Sequence, residues 1–362
     1  MIAVGSSKRI SSQEFFYLML VFQQGGIFWL LPYFLVRENG TIGLSALFSG
    51  AAAAVVIILV CRFWGTRGPE SGFVTALKQH RKIGGTIVGI LFFLFYLLFA
   101  IVMLYSFVDV TQKQLLEHTP QWMICATALV LVGWMSRNGL EHIARMTVWC
   151  LGALFLMLAV SIAGSVKLFS IEQALPLFVK NPVQMQEGCL HSIFCYSGFL
   201  TLFMMYPSRN TTQPVTKKLI LSVSLGVLLL LVWTVYALGI FGEYSLQTVL
   251  WIPVQLARMV QISALLEQTE SLFVVLWMVI ALTGSGLLFW CASESLHQLL
   301  CKQKSARIHW GLAGVILLCM IQIGSTMRLL QIELFLAKSI SLLLPLLLLA
   351  VVLLTPKRRN GA

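Results

Sequence analysis

The sequence has few charged residues. Of its 362 residues only 10% are Asp, Glu, Lys or Arg, whereas soluble domains carry about 25%. Hydrophobic residues make up 59% of the chain, and the mean hydropathy is +0.89. No Gly/Ser linker, low-complexity run or short repeat interrupts the apolar stretches. This composition excludes a soluble globular fold and predicts a single transmembrane domain over residues 1–362.

The sequence also lacks the motifs of the common enzyme and metal-binding classes. It contains no Walker A loop, no HExxH and no GxSxG, so no catalytic residues are expected. The eight cysteines lie mostly inside apolar runs and have no metal-ligand or disulfide-framework spacing. We interpret them as small packing residues. The sequence therefore predicts a protein that is not an enzyme and that has no cofactor and no metal site.

Apolar runs follow one another along the whole chain. A helix needs about 20 residues to cross a hydrocarbon core of about 30 Å, whereas a β-barrel shows alternating runs of about 10 residues. Lipid offers the backbone no hydrogen-bond partner, so these runs predict helices. The initial run from Phe15 to Val36 is too long for a cleavable signal and is interpreted as a retained first span. We predict an all-α integral membrane fold with ten transmembrane helices at residues 14–36, 42–61, 84–108, 121–136, 146–166, 187–206, 219–241, 270–298, 308–327 and 331–354.

The net charge of +12 lies largely in short segments between the spans. In a soluble protein such a charge would suggest nucleic acid as a partner. Here most of the 25 Lys and Arg residues fall on one side of the membrane when both termini are cytoplasmic, which satisfies the positive-inside rule. If residues 249–266 also crossed, the basic C-terminal tail would move outside, so this stretch and 70–80 are predicted to be interfacial helices. We expect a multi-pass membrane protein in contact with lipid and not with nucleic acid.

Ten spans divide into two halves of five, at about residues 10–168 and 180–356. An odd number of spans in each half places the second half upside down, which is a known inverted repeat of transporters with interrupted helices at the solute site. The first span contains Gln23-Gln24-Gly25-Gly26, and the sixth contains Tyr196-Ser197-Gly198. Each sequence begins nine residues after a glutamate, from 14 to 23 and from 187 to 196. We predict a five-plus-five inverted repeat with broken helices 1 and 6.

Polar residues in other spans point to the same central region. Tyr96 lies in the middle of the third span, and Thr283-Gly284-Ser285-Gly286 interrupts the eighth. His191 is an ionisable residue in the first turns of the sixth span, which makes it a functional candidate. Glu333 and Lys338, near the start of the tenth span, are interpreted as an interfacial pair with a snorkelling lysine. This interpretation predicts that Glu333→Gln has little effect.

Each of these residues also has a purely structural explanation. Glycine is common in membrane helices as a packing residue, and Tyr96 could be a packing aromatic. His191 could simply bond a neighbour. The hydroxyl groups of Thr283 and Ser285 could bond their own helix backbone.

Several segments resemble the spore germination permease family, within the amino acid–polyamine–cation transporter superfamily. The first span opens with Ile10-Ser11-Ser12-Gln13-Glu14-Phe15-Phe16 and closes with Leu31-Pro32. The fourth span is followed by Arg137-Asn138-Gly139-Leu140-Glu141-His142-Ile143-Ala144-Arg145. The eighth is preceded by Leu265-Leu266-Glu267-Gln268-Thr269-Glu270-Ser271-Leu272. Members of this family are the B subunits of nutrient germinant receptors.

This resemblance implies a germinant-sensing subunit in the spore inner membrane. It implies a small nutrient ligand, such as an amino acid, together with an A subunit and a lipoprotein C subunit as partners. The glycines would offer backbone amides to a carboxylate, and aromatic residues would shape the side-chain pocket. The ligand-binding residues carried over from this layout are Gly25, Gly26, Tyr96, Tyr196, Ser197, Gly198, Phe199, Thr283 and Gly284.

Three alternatives remain at this point. The first is an ion-coupled amino-acid permease, the second a structural subunit that binds nothing, and the third a channel. The fifth span contains no Asp, Glu, Lys or His, which removes one common location for a proton-coupling group. That absence favours the sensor over the permease.

Overall fold

The computed structural model describes residues 10–25, 31, 33–35, 46–67, 72–174, 182–210, 214–246, 249–259, 269–301 and 305–355. These residues contain no β-strand, and an isolated bridge joins Ile10 to Arg209. The predicted all-α fold is confirmed. The α-helices are α1 (Ser12–Gln23), α2 (Ala46–Gly65), α3 (Phe73–His80), α4 (Lys82–Gln114), α5 (Gln121–Arg137), α6 (Leu140–Ser165), α7 (Ile171–Ala174), α8 (Pro182–Ser197), α9 (Thr201–Met205), α10 (Val215–Leu246), α11 (Ile252–Arg258), α12 (Thr269–Leu300), α13 (Ala306–Ile323) and α14 (Thr326–Leu354). Short 3-10 helices cover Val166–Leu168, Gly198–Leu200 and Tyr206–Ser208.

Every predicted span contains helical residues, and eight of the helical segments are long and apolar enough to cross a membrane. The other two predicted spans, the first and the fourth, contain α1 with 12 residues and α5 with 17. At 1.5 Å per residue these helices rise about 18 and about 26 Å, less than the thickness of a hydrocarbon core. A multi-pass membrane protein is therefore confirmed, and the count of ten crossings stays a prediction.

The main helix contacts are symmetric between the two halves: each of them has a counterpart formed by the equivalent helices of the other half. In chain order, α1, α2, α4, α5 and α6 of the first half correspond to α8, α10, α12, α13 and α14 of the second. α1 packs on α10 and α6, and its counterpart α8 packs on α2 and α14. α4 and α12, the third helices of the two halves, form the most extensive contact of the bundle. An inverted repeat produces such symmetry, so the packing agrees with the five-plus-five architecture, whose half-limits 10–168 and 180–356 stay predictions.

Large apolar side chains cover the outside of the bundle. Trp149 on α6 and Phe335, Leu342 and Leu346 on α14 are exposed, while polar side chains such as Gln23 are buried. This arrangement is expected where the surrounding solvent is lipid. The helices α3 and α11, with 8 and 7 residues, are too short to cross a bilayer. They lie in the two stretches predicted to be interfacial.

Candidate functional site

The first span is interrupted where the sequence predicts. α1 begins with a capping box, in which Glu14 N donates to Ser11 Oγ at 3.2 Å and Ser11 N donates to Glu14 Oε2 at 2.7 Å. It ends at Gln23, because Gln24 and Gly25 lie outside the helix. Helical residues reappear at Leu31 and at 33–35. The predicted break of helix 1 is therefore confirmed, although Gly26 lies outside the described residues.

The sixth span changes its helix type at the predicted position. α8 ends at Ser197, a 3-10 segment covers Gly198–Leu200, and α9 continues from Thr201. Ser197 and Thr201 keep right-handed helical dihedral angles, so the chain is not unwound here. The second interruption is therefore milder than the first.

The two interruptions meet at the ring of Phe22, in the last turn of α1. A Cβ atom at Gly198 would lie 2.8 Å from Phe22 Cζ, closer than real Cβ contacts. A Cβ at Gly284 of α12 would lie 3.7 Å from Phe22 Cδ2 and 2.5 Å from Met103 Cε. A Cβ at Gly25 would lie 3.0 Å from the same Met103 methyl group. Three of the predicted glycines therefore surround Phe22 and Met103 and leave room for these two side chains.

No motif in the sequence marks Phe22, Phe99 or Met103, which fill the region between the glycines. Phe22 stacks on Phe99 of α4 with the ring centroids 6.4 Å apart. On α4, Phe99 and Met103 follow Tyr96 by three and seven residues. That spacing places all three on one helix face. The helical spacing from Tyr96 could therefore have identified Phe99 and Met103 in the sequence.

Tyr96 binds the interruption of the sixth span directly. Its side chain is fully buried, and its hydroxyl group donates a hydrogen bond to the carbonyl oxygen of Leu200 at 2.8 Å. Leu200 is the last residue of the 3-10 segment. Tyr96 therefore holds α4 against the place where α8 changes its geometry.

Tyr96→Phe is expected to destabilise the folded protein by about 1–3 kcal/mol, because the Leu200 carbonyl would lose a buried hydrogen-bond donor. Thermal unfolding of the purified protein in detergent measures this effect. Tyr244→Phe is the matched control, since Tyr244 is exposed on α10. Equal unfolding temperatures for the two variants would contradict the prediction.

The other predicted residues of the sixth span face α2 or their own helix. Tyr196 stacks on Phe199 with a centroid distance of 6.2 Å. A Cβ at Gly50 of α2 would lie 2.5 Å from Tyr196 Cδ2, so the Tyr196 ring packs against α2. Ser197 Oγ donates to the carbonyl oxygen of Phe194 at 2.5 Å. Tyr196 and Gly198 therefore lie on different sides of the sixth span.

Thr283 lies at the contact between α6 and α12. Its hydroxyl group donates to the carbonyl oxygen of Val279 at 2.7 Å and lies 3.3 Å from Cys150 Sγ. The next residue, Gly284, faces Phe22 and Met103 instead. Thr283 therefore bonds its own helix backbone, which was the structural alternative.

Buried polar atoms near the interruptions that have no hydrogen-bond partner among the described residues include Gln24 Nε2, directly after α1, and Ser285 Oγ, beside Gly284. Gln23 is half-satisfied: Nε2 donates to the carbonyl oxygens of Met19 and Ser222, both at 3.1 Å, and Oε1 has no partner there. Buried polar atoms are normally paired, so Gln24 and Ser285 are groups that a polar ligand could use.

His191 is buried among neighbours that fix its ring. Its Nδ1 lies 3.0 Å from the carbonyl oxygen of Glu187, and the ring stacks on Phe34 at a centroid distance of 4.4 Å. These contacts agree with the structural explanation of this residue.

The predicted interfacial pair of Glu333 and Lys338 is wrong. Glu333 is 1% exposed, and Lys338 forms an ion pair with Glu187 of α8 at 3.5 Å instead. The physical reason is the helix period, since residues five apart differ by about 140° around the axis. Glu333 therefore points into the bundle, whereas Lys338 reaches the half-exposed Glu187.

A separate polar cavity of about 300 Å³ lies between the ends of α5, α12 and α13. Its walls include the buried side chains of His297 and His309. His297 Nε2 accepts from Ser305 N at 2.9 Å, and His309 Nδ1 lies 3.1 Å from Ser293 Oγ. Both rings are held by neighbouring backbone or hydroxyl groups, and none of these residues contacts the glycines around Phe22 and Met103.

Comparisons with known proteins agree on the family and the fold. The family described as "Spore germination protein" (Spore_permease) matches residues 9–333. Spore germination protein YndE of Bacillus subtilis (strain 168) is 20% identical over 274 residues, which cover 75% of this chain and 75% of YndE. Among solved structures, MhsT in complex with L-phenylalanine has a TM-score of 0.71 at 15% identity, with 96% of this chain and 89% of MhsT covered. The chain therefore has a transporter fold and belongs to the spore germination permease family.

Proposed function

We propose that this protein is the germinant-sensing membrane subunit of a spore nutrient receptor, and that it binds a small nutrient such as an amino acid between its two halves. The observation that carries this proposal is the convergence of Gly25, Gly198 and Gly284 on Phe22 and Met103. Glycines from both halves meet there at an interrupted helix, which is where proteins with this architecture bind solutes. Family membership supports a role in germination.

The chemistry of the interruption favours a ligand with a cationic group. α1 ends at Gln23, and the C-terminal end of a helix attracts positive charge. The amides of Gln24 and Gly25 already donate to the carbonyl oxygens of Val21 and Phe22, at 3.0 and 3.3 Å. The sequence-based hypothesis that glycine amides bind a carboxylate is thus less well supported here than an ammonium group at the end of α1. Amino acids carry such a group, and the related fold of MhsT was solved with L-phenylalanine.

The side chains between the glycines suggest how binding could trigger a response. Phe22 and Met103 fill the space that a ligand would need. A nutrient therefore binds a rearranged state more tightly than this one, and it drives the change by that difference in affinity. Methionine adapts to new surroundings at low cost, so Met103 is the first side chain expected to move.

The cellular setting and the partners are part of the same proposal. The subunit would lie in the spore inner membrane with both termini cytoplasmic, and it would act with an A subunit and a lipoprotein C subunit. Candidate contact surfaces are the turn after α5 at Asn138-Gly139 and the segment 242–269. The turn joins α5 to α6, and the segment contains α11.

An ion-coupled amino-acid permease is the second candidate. The buried acidic residue Glu333 on α14 supports this candidate, because buried acidic residues in membrane helices mark ion and proton pathways. It counts against the expectation, drawn from the fifth span, that the chain lacks a coupling group.

Spores with and without this gene separate the two candidates. Germination is scored nutrient by nutrient, and amino-acid uptake is measured in growing cells of the same strains. Loss of the response to one nutrient with normal uptake is the expected result. Normal germination with one uptake activity missing would instead establish the permease.

A further inference from the structure

Glu333 occupies an unusual position for an acidic residue. It lies on α14, is 1% exposed, and faces Ser106 of α4 with Oε1 at 3.5 Å from Ser106 Oγ. Its second oxygen, Oε2, is buried and has no hydrogen-bond partner in the described part of the chain. An ionised carboxylate at this position would have almost no hydrogen bond or positive charge to stabilise it.

Ser106 offers little to stabilise a charge at Glu333. Its hydroxyl group has one hydrogen atom, which it can direct either to the carbonyl oxygen of Val102 at 2.9 Å or to Glu333 Oε1 at 3.5 Å. The contact with Glu333 is the longer of the two and lies at the limit of hydrogen-bond geometry. An ionised Glu333 would therefore share a single weak donor, whereas a neutral acid has no charge to compensate. We infer that Glu333 is a proton-binding site of this protein, and that it holds a proton in the packed arrangement of α4, α8 and α14.

The neighbouring charges favour the same state. Burial disfavours a charge at Glu333 most, and the acidic residue Asp109 on α4 adds repulsion against a second negative charge. On α8 the ionisable neighbour is Cys195. The cations on α14 and in the last turn of α4 have other partners. Lys113 pairs with Asp109 at 3.0 Å, Lys338 pairs with Glu187, and Arg328 donates to the carbonyl oxygen of Gln322 at 3.3 Å. Among the described residues, no cation is therefore left to neutralise an ionised Glu333.

A line of polar groups leads from Glu333 to the end of the helices. Ser106 and Asp109 are three residues apart on α4, and Thr326 and Glu333 are seven apart on α14, so each pair shares a helix face. Thr326 Oγ1 donates to Asp109 Oδ1 at 2.7 Å, and Lys113, whose side chain is half-exposed, contacts both. These groups therefore lie on the side of Glu333 that is nearer to water.

The position of the site links the proton to the proposed pocket. α14 packs on α4, which carries Tyr96 and Met103, and on α8, which leads into the 3-10 segment. Loss of the proton would leave a negative charge between these helices, so the packed arrangement should weaken. By linkage, a conformational change that separates α14 from α4 releases the proton. The proton site itself does not depend on which nutrient, if any, this protein binds.

Infrared spectroscopy of the purified full-length chain tests the inference without nutrient or partner subunits. The wild type should show the carbonyl band of a neutral carboxylic acid at neutral pH, and the band should disappear as the pH rises. Glu333→Gln should lack the band, whereas the matched control Glu187→Gln should keep it, because Glu187 is half-exposed and ion-paired. Absence of the band in the wild type, or its persistence in Glu333→Gln, would overturn the inference.

A second variant keeps the test valid if Glu333→Gln does not fold. Ser106→Ala removes the polar neighbour of Glu333 but leaves the acid, so the band should remain and move in frequency. An unmoved band would contradict the assignment of the band to Glu333. Thermal unfolding gives an independent readout. The packed state holds the proton, so its stability should fall as the pH rises from the ordinary pKa of an unfolded glutamate to the range where the band is lost, and should stop falling above that range. Glu333→Gln should abolish this dependence. A pH dependence that is the same in both proteins would contradict the inference.

Discussion

Spores that carry Gly25→Leu are expected to lose the response to their nutrient, while the protein reaches the membrane in normal amount. A Cβ at residue 25 would lie 3.0 Å from Met103 Cε, 3.5 Å from the carbonyl oxygen of Ile280 and 3.6 Å from Ala281 Cα. The remainder of a leucine side chain would therefore occupy the space between α1, α4 and α12, where the nutrient is proposed to bind. Gly25 lies outside α1, two residues after its last residue, so helix formation and membrane insertion should be unaffected.

The measurement is a germination dose–response curve, combined with the amount of the protein in spore membranes. Gly152→Leu is the matched control, because Gly152 is exposed on α6 and a Cβ there would meet no atom within 4 Å. This control makes the same chemical change at a lipid-facing position and should leave the response intact. A normal dose–response curve for Gly25→Leu at normal protein level would refute the proposed binding site.

Gly198→Ala is expected to destabilise the wild-type protein by about 1–3 kcal/mol, because it overpacks the contact between the two interrupted spans. The added methyl group would lie 2.8 Å from Phe22 Cζ and 3.5 Å from Phe99 Cε1, in a region where both rings are buried. In a Phe22→Ala background, the same methyl group would enter the space left by the ring. There the cost of Gly198→Ala should fall to near zero or change sign.

Thermal unfolding of the two single variants and the double variant measures this coupling as a double-mutant cycle. Gly314→Ala is the matched control in both backgrounds, because a Cβ at this exposed residue of α13 would meet no atom within 4 Å. Its effect should be the same with and without Phe22. If the costs of Gly198→Ala and Phe22→Ala are additive, the direct contact between the two interruptions is not supported.

Local sequence features were sufficient to predict the fold class. Apolar runs such as 84–108 and 331–354 are long enough to require helices in lipid, whatever their neighbours are. The helices α4 and α14 lie over these predicted runs. The interruption of the first span was predictable from the sequence as well, because consecutive glycines weaken a helix locally, and α1 ends at Gln23, two residues before Gly25. The family resemblance, based on short segments such as that from Gly139 to Arg145, is confirmed by the match over residues 9–333.

The direction of individual side chains was decided only by the tertiary structure. Nothing in the sequence indicates that Tyr96 donates to Leu200, that Thr283 faces Cys150, or that Glu333 is buried. In a soluble protein, a stripe of apolar residues identifies the buried face of a helix. In a membrane the lipid is as apolar as the protein interior, so apolar residues occupy both the lipid-facing and the protein-facing side of a helix. Hydrophobicity therefore does not identify the buried face. The sequence therefore determined that this chain forms membrane-spanning helices with interruptions in two matching places. Which polar groups meet inside was decided by the rotation of each helix against its neighbours, because packing contacts and not hydrophobicity set that rotation.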